Sequence, residues 1–324
     1  MKSTQFLLVG GGLASAEAMK QIKRLDEKAD VTLVADEPHL PYNRPPLSKE
    51  YLRGEEQREK IFVAPDAFYD QQGVQRLLGV AAEGLDPAQA TVSLSNGESL
   101  HYEKLLIATG GSPMRLNVPG AEQQGVYYLR TVGDSEAIGA EAGPGRRAVV
   151  VGAGFIGLEV AASLTQKGVK VTVVEALPRV WPRFAGEGLA DFVQAYCQER
   201  GVTFHTGDAV EELRGDGRVA SVRTRSGREL PCDFVCVGIG IRPRVELAVA
   251  GGLETENGIV VDQHMHTSHP NIYAAGDVVN YPDPVFGKRR RVEHWGHAEY
   301  TGQVAGMNMA GEERPYDLLT YIWS

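Results

Sequence analysis

Two short stretches decide the fold of this chain: GGGLAS at residues 10–15 and GAGFIG at residues 152–157. Each follows a short apolar run, at residues 6–9 and 148–151, and opens a segment with helical character. Glycine-rich turns between a strand and a helix bring backbone N–H groups and the positive helix end to a phosphate. One such turn is weak evidence. Two copies, 142 positions apart, predict two dinucleotide-binding units.

The two copies also correspond further along the chain. In each, a second strand ends in an acid, Asp36 or Glu175, whose carboxylate can accept hydrogen bonds from ribose hydroxyls. Residues 95–110 and 225–240 align at a constant offset of 130, each as a turn, a polar strand and a buried strand ending at glycine. Glu175 favours NADH over NADPH, because a carboxylate repels a 2′-phosphate. The alternative is that Glu175 is a solvated strand end.

Length and composition narrow the class of protein. The chain has 324 residues, 43% hydrophobic and 23% charged, which is ordinary for a soluble protein of two domains. No apolar run approaches a membrane span, and the first strand begins too early to leave room for an export signal. Three cysteines cannot form a disulfide framework, so we expect a cytoplasmic protein. The net charge of −9 argues against general nucleic-acid binding.

The order of the motifs predicts an α/β protein with two doubly wound, Rossmann-like dinucleotide-binding domains. The first domain, for FAD, is discontinuous and comprises residues 1–113 and 243–324, and the NAD(H)-binding domain, residues 114–242, is inserted into it. Residues 271–277 form a strand that ends at Asp277, so this late segment returns to the first domain. Asp277 is then placed to bind the hydroxylated chain of a flavin dinucleotide.

A third stretch, LPYNRPPLSKEYL at residues 40–52, is much more specific than the glycine turns. Together with VEHW at 292–295 and YIWS at 321–324, it resembles the ferredoxin, rubredoxin and putidaredoxin reductase-like branch of the FAD-dependent pyridine nucleotide-disulfide oxidoreductases. Apoptosis-inducing factor is similar as well. The resemblance covers nearly the whole chain and implies FAD, NADH and transfer of electrons to an acceptor. Family members usually carry a small C-terminal interface domain, which we expect to be absent from this chain.

The resemblance also implies roles for individual residues. Lys49 matches a lysine near flavin N5 that pairs with a glutamate after the second turn, here Glu159, and such a pair holds a cation beside the atom that receives hydride. The alternative is a solvated lysine and an ordinary acid in a helix. The planar, charged guanidinium of Arg44 is suited to binding a phosphate or adenosine. Phe155 matches an aromatic at the nicotinamide, with core packing as the alternative.

Lys49 and Glu159 are the predicted catalytic residues, and the predicted cofactor-binding residues divide between the two cofactors. The residues for FAD are Gly10, Gly12, Ala14, Ser15, Asp36, Arg44, Lys49, Ala82, Thr109, Gly110, Arg130, Asp277, His294, Trp295 and Trp323. Those for NADH are Gly152, Gly154, Phe155, Ile156, Gly157, Glu175, Gly240 and Glu293. The helix start at His294 and Trp295 has core packing as its alternative. We expect no metal site, because six of the eight histidines have no cluster of further metal ligands near them in the sequence.

The cysteines indicate how electrons leave the flavin. Disulfide reductases need a paired redox disulfide, and related peroxidases need one reactive cysteine near the flavin. This chain has Tyr42 in the loop where such a cysteine would stand, and Cys232 and Cys236 alternate with apolar residues as packing residues do. Electrons are therefore expected to pass directly to an external acceptor.

The predicted function is NADH oxidation with an iron–sulfur carrier of the ferredoxin or rubredoxin type as acceptor. Two alternatives stay open: reduction of a small acceptor such as monodehydroascorbate or a quinone, and a slow redox-responsive protein similar to apoptosis-inducing factor. The basic run at residues 288–291 is either a docking patch for an acidic carrier or a solvated turn. We expect a monomer or a homodimer, with no nucleic-acid or membrane partner.

Overall fold

The structure is a computed structural model that describes residues 2–181 and 184–319. The chain divides into two compact units. Unit one comprises residues 1–43, 61–111 and 243–324, and unit two comprises residues 44–60 and 112–242.

The helices and strands alternate along most of the chain. Up to residue 113 they are β1 (Lys2–Val9), α1 (Leu13–Leu25), β2 (Val31–Ala35), α2 (Glu50–Arg53), α3 (Arg58–Ile61), α4 (Asp66–Gln71), β3 (Gln75–Leu78), β4 (Ala82–Asp86), β5 (Thr91–Leu94), β6 (Ser99–Ile107) and β7 (Gly111–Pro113). Next come β8 (Val126–Tyr128), α5 (Val132–Glu141), β9 (Arg147–Val151), α6 (Phe155–Gln166), β10 (Lys170–Glu175), α7 (Glu187–Glu199), β11 (Thr203–Thr206), β12 (Val210–Gly215), β13 (Val219–Thr224), β14 (Glu229–Pro231), β15 (Phe234–Val237) and β16 (Ile241–Pro243). The last elements are α8 (Glu246–Ala250), β17 (Ile259–Val260), β18 (Ile272–Ala274), β19 (Val279–Asp283), β20 (Lys288–Arg290) and α9 (Trp295–Met309), with short 3₁₀ helices at Pro45–Ser48 and Gly276–Val278.

Unit one is built on a seven-stranded sheet in which β3, β2, β1 and β6 run parallel. On its far side β6 has two partners: β5 pairs antiparallel with its start, and β18 pairs parallel with its end. The central strands are apolar on both faces because helices cover the sheet, as is usual for parallel strands. The late segment returns to the first sheet through β18, as the motif at residues 271–277 predicts.

Unit two repeats this arrangement in a parallel sheet of five strands ordered β11, β10, β9, β15, β8. An antiparallel sheet of β12, β13 and β14 follows β11 in the chain. Apolar clusters cover both faces of the parallel sheet. The predicted class, an α/β chain with two doubly wound sheets, is therefore confirmed.

The duplicated turns have the same backbone requirement in both units. Gly10 has φ +124° and Gly152 has φ +100°, a region that side chains disfavour. A Cβ atom would overlap with the carbonyl oxygen of Ala108 at the first position and of Gly238 at the second. Only glycine therefore lets each turn lie against the neighbouring strand end.

The compact units differ from the predicted domains at residues 44–60, which pack with unit two. Hydrogen bonds to the rest of unit two hold this segment there, and among them Ser48 Oγ donates to Glu159 Oε2 (2.6 Å), Ser163 Oγ to the Ser48 carbonyl (2.7 Å) and Ser135 Oγ to the Leu47 carbonyl (2.7 Å). The division into an FAD-binding and an NAD-binding domain stays a prediction.

Candidate functional site

The first glycine turn, in unit one, presents backbone donors at the start of α1. Gly12 occupies the N-cap of α1, and nothing lies within 4 Å of where its Cβ would be. Within the described residues, the fully buried Ser15 Oγ has no hydrogen-bond partner. An open N-cap with free N–H groups and a buried hydroxyl in the first turn fit the phosphates of a dinucleotide.

Helix α9 packs directly against the start of α1, next to this turn. A Cβ at Gly302 or Gly306 would overlap with the carbonyl oxygen of Ala14 or Ala18 on α1, so the two helices touch through their backbones. Gly276, with φ +80°, accepts the same close packing beside Ala14, and its N–H donates to Thr301 Oγ1 (2.9 Å). Thus α9 fixes both the start of α1 and the loop that carries Asp277.

The predicted flavin-ring residues begin α9. His294 is the N-cap, and its Nδ1 accepts the Gly296 N–H (3.1 Å). Trp295 Nε1 donates to Asn43 Oδ1 (2.9 Å), and Glu293 pairs with Arg291 (2.7 Å). Each side chain therefore has a structural contact, and the roles of His294 and Trp295 in binding flavin and of Glu293 in binding NADH stay predictions.

Behind this helix start lies a buried histidine that sequence reasoning missed. His297 is fully buried, stacks on Tyr281 with 4.8 Å between ring centroids, and bonds through Nδ1 to Tyr316 OH (3.1 Å). Burial lowers the pKa of His297 to about 4, against a smaller opposing effect of Asp277. The imidazole is thus neutral at physiological pH, and only its position one turn after His294 could have drawn attention to it.

The acid after β2 is fastened by an arginine that the sequence did not single out. Asp36 Oδ2 accepts from Arg244 Nη1 at 2.7 Å, and its Oδ1 accepts the Glu37 N–H at 3.1 Å. Both charged side chains are 40% exposed. Thr109 Oγ1, one of the predicted FAD contacts, donates to the Arg244 carbonyl (2.6 Å).

The second turn, in unit two, is braced by its acid. Glu175 accepts the Ala153 N–H at Oε2 (2.7 Å) and the Leu177 N–H at Oε1 (2.8 Å). The side chain is buried, so the alternative of a solvated strand end is wrong. Gly154 is the N-cap of α6, with open space where a Cβ would be, so this helix start also fits a phosphate.

Unit two brings Lys49 and Glu159 together. Lys49 Nζ lies 2.8 Å from Glu159 Oε1, and Ser48 Oγ donates to the other carboxylate oxygen at 2.6 Å. The lysine is 24% exposed and the glutamate 12%. The alternative of a solvated lysine and an ordinary acid in a helix therefore does not hold, whereas a position beside a flavin stays a prediction.

An aromatic cluster stands at the start of α6. The Phe155 ring lies 5.1 Å from the Trp181 ring and 4.7 Å from the Phe184 ring, centroid to centroid. Trp181 has φ +47°, and its backbone N–H donates to the Ala153 carbonyl (2.9 Å). Phe155 thus packs against other aromatic residues, and its contact with nicotinamide stays a prediction.

The remaining predicted residues are distributed over both units. Arg44 and Arg130 both belong to unit two, where the Arg44 guanidinium donates to the Arg130 carbonyl. In unit one, Ala82 begins β4 and Gly110 accepts the Arg244 N–H (2.9 Å). In unit two, Gly240 accepts the Met114 N–H (2.9 Å) and Ile156 is exposed. Trp323 lies outside the described residues.

The basic run is largely engaged within the protein. Arg289 donates to the carbonyls of Val261 (2.6 Å) and Asn280 (2.8 Å), Arg290 pairs with Asp283 (3.0 Å), and Arg291 pairs with Glu293. Arg289 and Arg290 therefore fasten the β19–β20 hairpin. Lys288 is exposed.

All three cysteines are free thiols. Burial raises the pKa of Cys232 to about 12, and it also raises the pKa values of Cys236 and Cys197. Such thiols are not poised as thiolates at neutral pH. Over the ranges that the structure describes, no group of three or more His, Cys, Asp or Glu side chains could hold a metal ion, and no helix could cross a membrane.

Comparison with known proteins defines the class. A family model described as pyridine nucleotide-disulphide oxidoreductase matches residues 4–302, so the chain belongs to this oxidoreductase family, and the predicted family and enzyme class are confirmed. Its relatives include the probable ferredoxin reductase CtmF of Castellaniella defragrans, which is 38% identical over 98% of this chain and 78% of that protein. Rubredoxin-NAD(+) reductase of Pseudomonas putida is 34% identical over 98% of this chain and 83% of its own length. Putidaredoxin reductase, solved in a covalent complex with putidaredoxin, matches with a TM-score of 0.93 and 32% identity, covering 96% of this chain and 76% of that one.

Proposed function

We propose that this protein is an FAD-dependent reductase that oxidises NADH and passes single electrons to an iron–sulfur carrier of the ferredoxin or rubredoxin type. The observation that carries the proposal is the ion pair between Lys49, which precedes α2, and Glu159 on α6, the helix that follows the second glycine turn. Relatives named as ferredoxin and rubredoxin reductases support the same reaction.

In this proposal FAD is held by unit one at the Gly10–Ser15 turn, Asp36 and Asp277, with His294 and Trp295 toward the ring. The open N-cap at Gly12 and the buried Ser15 hydroxyl fit its pyrophosphate. When bound, FAD supplies a ring that accepts two electrons together and releases them one at a time.

The proposed role of Lys49 is to place a positive charge where negative charge develops on hydride transfer. Glu159 orients the ammonium, and Ser48 occupies the second carboxylate oxygen, so Glu159 cannot turn away without losing a bond. An ammonium has three donors, so pairing with one carboxylate leaves N–H groups for another acceptor.

NADH is proposed as the donor in preference to NADPH. Glu175 is fixed by two backbone N–H groups beside the second turn, so its carboxylate cannot easily move aside for a 2′-phosphate. Like charges at short range disfavour that ligand.

The buried cysteines support an external acceptor. With their pKa values raised, these thiols offer no ready thiolate to relay electrons. Free thiols also fit a reducing compartment, and we propose the cytoplasm.

The test is an anaerobic stopped-flow titration of the yellow protein with NADH or NADPH, followed by oxidised ferredoxin or rubredoxin. Rapid bleaching by NADH and prompt reoxidation by the carrier are expected. A persistent long-wavelength band that is indifferent to the carrier would instead favour the redox-responsive alternative, and prompt reoxidation by a quinone alone would favour a small acceptor.

Carrier docking needs a variant that leaves the fold intact. Charge reversal at Arg289 or Arg290 would break the contacts that fasten the β19–β20 hairpin. Lys288→Glu is the better probe, because Lys288 is exposed. If the basic run guides an acidic carrier, this variant slows carrier reduction at low salt and leaves flavin reduction by NADH unchanged.

A further inference from the structure

We infer that Arg244 is a positioning residue for the adenosine end of the flavin dinucleotide, acting through Asp36; the inference rests on the FAD site proposed for unit one. Arg244 lies outside both glycine turns and outside the stretch at residues 40–52.

The backbone of Arg244 is fastened to the end of β6. Its N–H donates to the Gly110 carbonyl (2.9 Å), and its own carbonyl accepts from Thr109 Oγ1 (2.6 Å). From this anchor the side chain reaches Asp36, the residue that follows β2, at 2.7 Å.

The order of the strands in the sheet means that the Arg244–Asp36 ion pair crosses the end of β1. Strand β1 lies between β2 and β6, and the glycine turn at residues 10–12 begins where β1 ends. With about 4.8 Å between neighbouring strands, the ends of β2 and β6 lie roughly 10 Å apart. The ion pair therefore spans the carboxyl end of β1, the place where doubly wound sheets bind a dinucleotide.

The pair also leaves Asp36 able to bind a ligand. A carboxylate has about four lone-pair sites. Arg244 takes one at Oδ2 and the Glu37 N–H takes one at Oδ1, so sites stay available for ribose hydroxyls. A carboxylate held in place before binding loses less freedom on binding, which strengthens the complex.

The expected effect is modest because both charged groups are 40% exposed. Exposed ion pairs correspond to roughly a two- to fivefold change in an equilibrium or rate constant. Salt should weaken the effect, since charges in contact with solvent are screened.

The experiment measures the rate at which FAD leaves the protein, read as the rise in fluorescence of free FAD after dilution. The variants are Arg244→Met, Asp36→Asn and the double variant. Arg314→Met is the matched control, because Arg314 in the same unit pairs with Glu312 at 2.9 Å elsewhere in the chain. Arg244→Met is expected to release FAD about two to five times faster than wild type, with the control at the wild-type rate.

The double variant separates action through Asp36 from direct contact with FAD. If Arg244 acts through Asp36, the double variant releases FAD at the rate of Asp36→Asn alone. Multiplicative rates in the double variant, or a wild-type rate for Arg244→Met, overturn the inference. Wild-type protein that takes up no FAD overturns the cofactor assignment as well, so the two failures are distinguishable.

A folding failure of Arg244→Met does not remove the test. Arg244→Lys keeps the charge but loses the fork, and wild-type protein can be measured from low salt to about 0.5 M, where screening is strong. A wild-type release rate that does not rise with salt, together with unchanged release from Arg244→Lys, also overturns the inference.

Discussion

Replacing His297 with asparagine should remove a large part of the acid sensitivity of unit one. In the folded protein burial lowers the pKa of His297 to about 4, whereas an unfolded histidine titrates near 6.5. Between these values the unfolded chain binds the proton and the folded chain does not. The contribution of neutral His297 to the free energy of unfolding is therefore fully present above pH 6.5 and is lost as the pH falls toward 4.

The magnitude follows from the difference between the two pKa values. Each unit corresponds to about 1.4 kcal/mol, so the complete loss is about 3 kcal/mol. At pH 5.5 the wild type should have lost about 1.4 kcal/mol of its free energy of unfolding through this group, and at pH 4.5 about 2.5 kcal/mol. His297→Asn lacks this loss, so the wild type should approach or fall below the variant as the pH decreases.

The assay is hydrogen exchange of the α9 amides, residues 295–309, from pH 7.5 to 4.5, with exchange corrected for its intrinsic pH dependence. This local readout suits a chain of two units, which need not unfold in one step. His297→Gln serves as the second variant, because the two amide side chains differ in length and therefore in their reach to Tyr316 OH. Parallel pH profiles for wild type and both variants would show that His297 is not held neutral in the native protein.

Three further predictions concern packing and the two predicted binding sites. Gly306→Ala should destabilise unit one by about 1–3 kcal/mol, because the new methyl group overlaps with the α1 backbone. The control is Gly188→Ala, because a methyl group at Gly188 faces open space. Equal melting temperatures for the two variants would contradict close packing of α9 on α1. Lys49→Met should slow flavin reduction by NADH at least about tenfold in stopped-flow measurements, because it removes the cation, whereas Ser48→Ala keeps the ion pair and should retain most of the rate; similar rates for both variants would argue against the role of the charge. Glu175→Gln should narrow the preference for NADH by about tenfold, since it removes one negative charge while an amide oxygen can still accept one backbone bond; an unchanged ratio of kcat/KM for NADH and NADPH would contradict the role of the carboxylate.

The sequence predicts the fold well because the decisive signals are local. A glycine turn between a buried strand and a helix specifies backbone geometry within a few residues, and the requirement at Gly10 and Gly152 is visible in both. The return of the chain through β18 also followed from a short motif that ends at Asp277.

Long-range partners of side chains were harder to predict. Arg244 lies 208 positions from Asp36, and no periodicity links the two. The Ser48 hydroxyl donates to Glu159, which lies 111 positions later in the chain, and this bond helps to hold residues 44–60 in unit two. The basic run at residues 288–291 shows the converse, because a charge pattern does not reveal that Arg289 binds the carbonyls of Val261 and Asn280 or that Arg290 pairs with Asp283.

The pairing of β5 and β18 with the far side of β6 also constrains the order in which the chain can assemble during synthesis. The end of this strand, at Leu105–Ile107, pairs with Ile272–Ala274, which leave the ribosome about 165 residues later. Closing so long a loop is slow, whereas most of unit two is contiguous and can form while the ribosome is still translating. Until β18 arrives, the nascent protein carries an apolar strand edge with unsatisfied backbone groups, the kind of edge to which chaperones and other nascent chains bind.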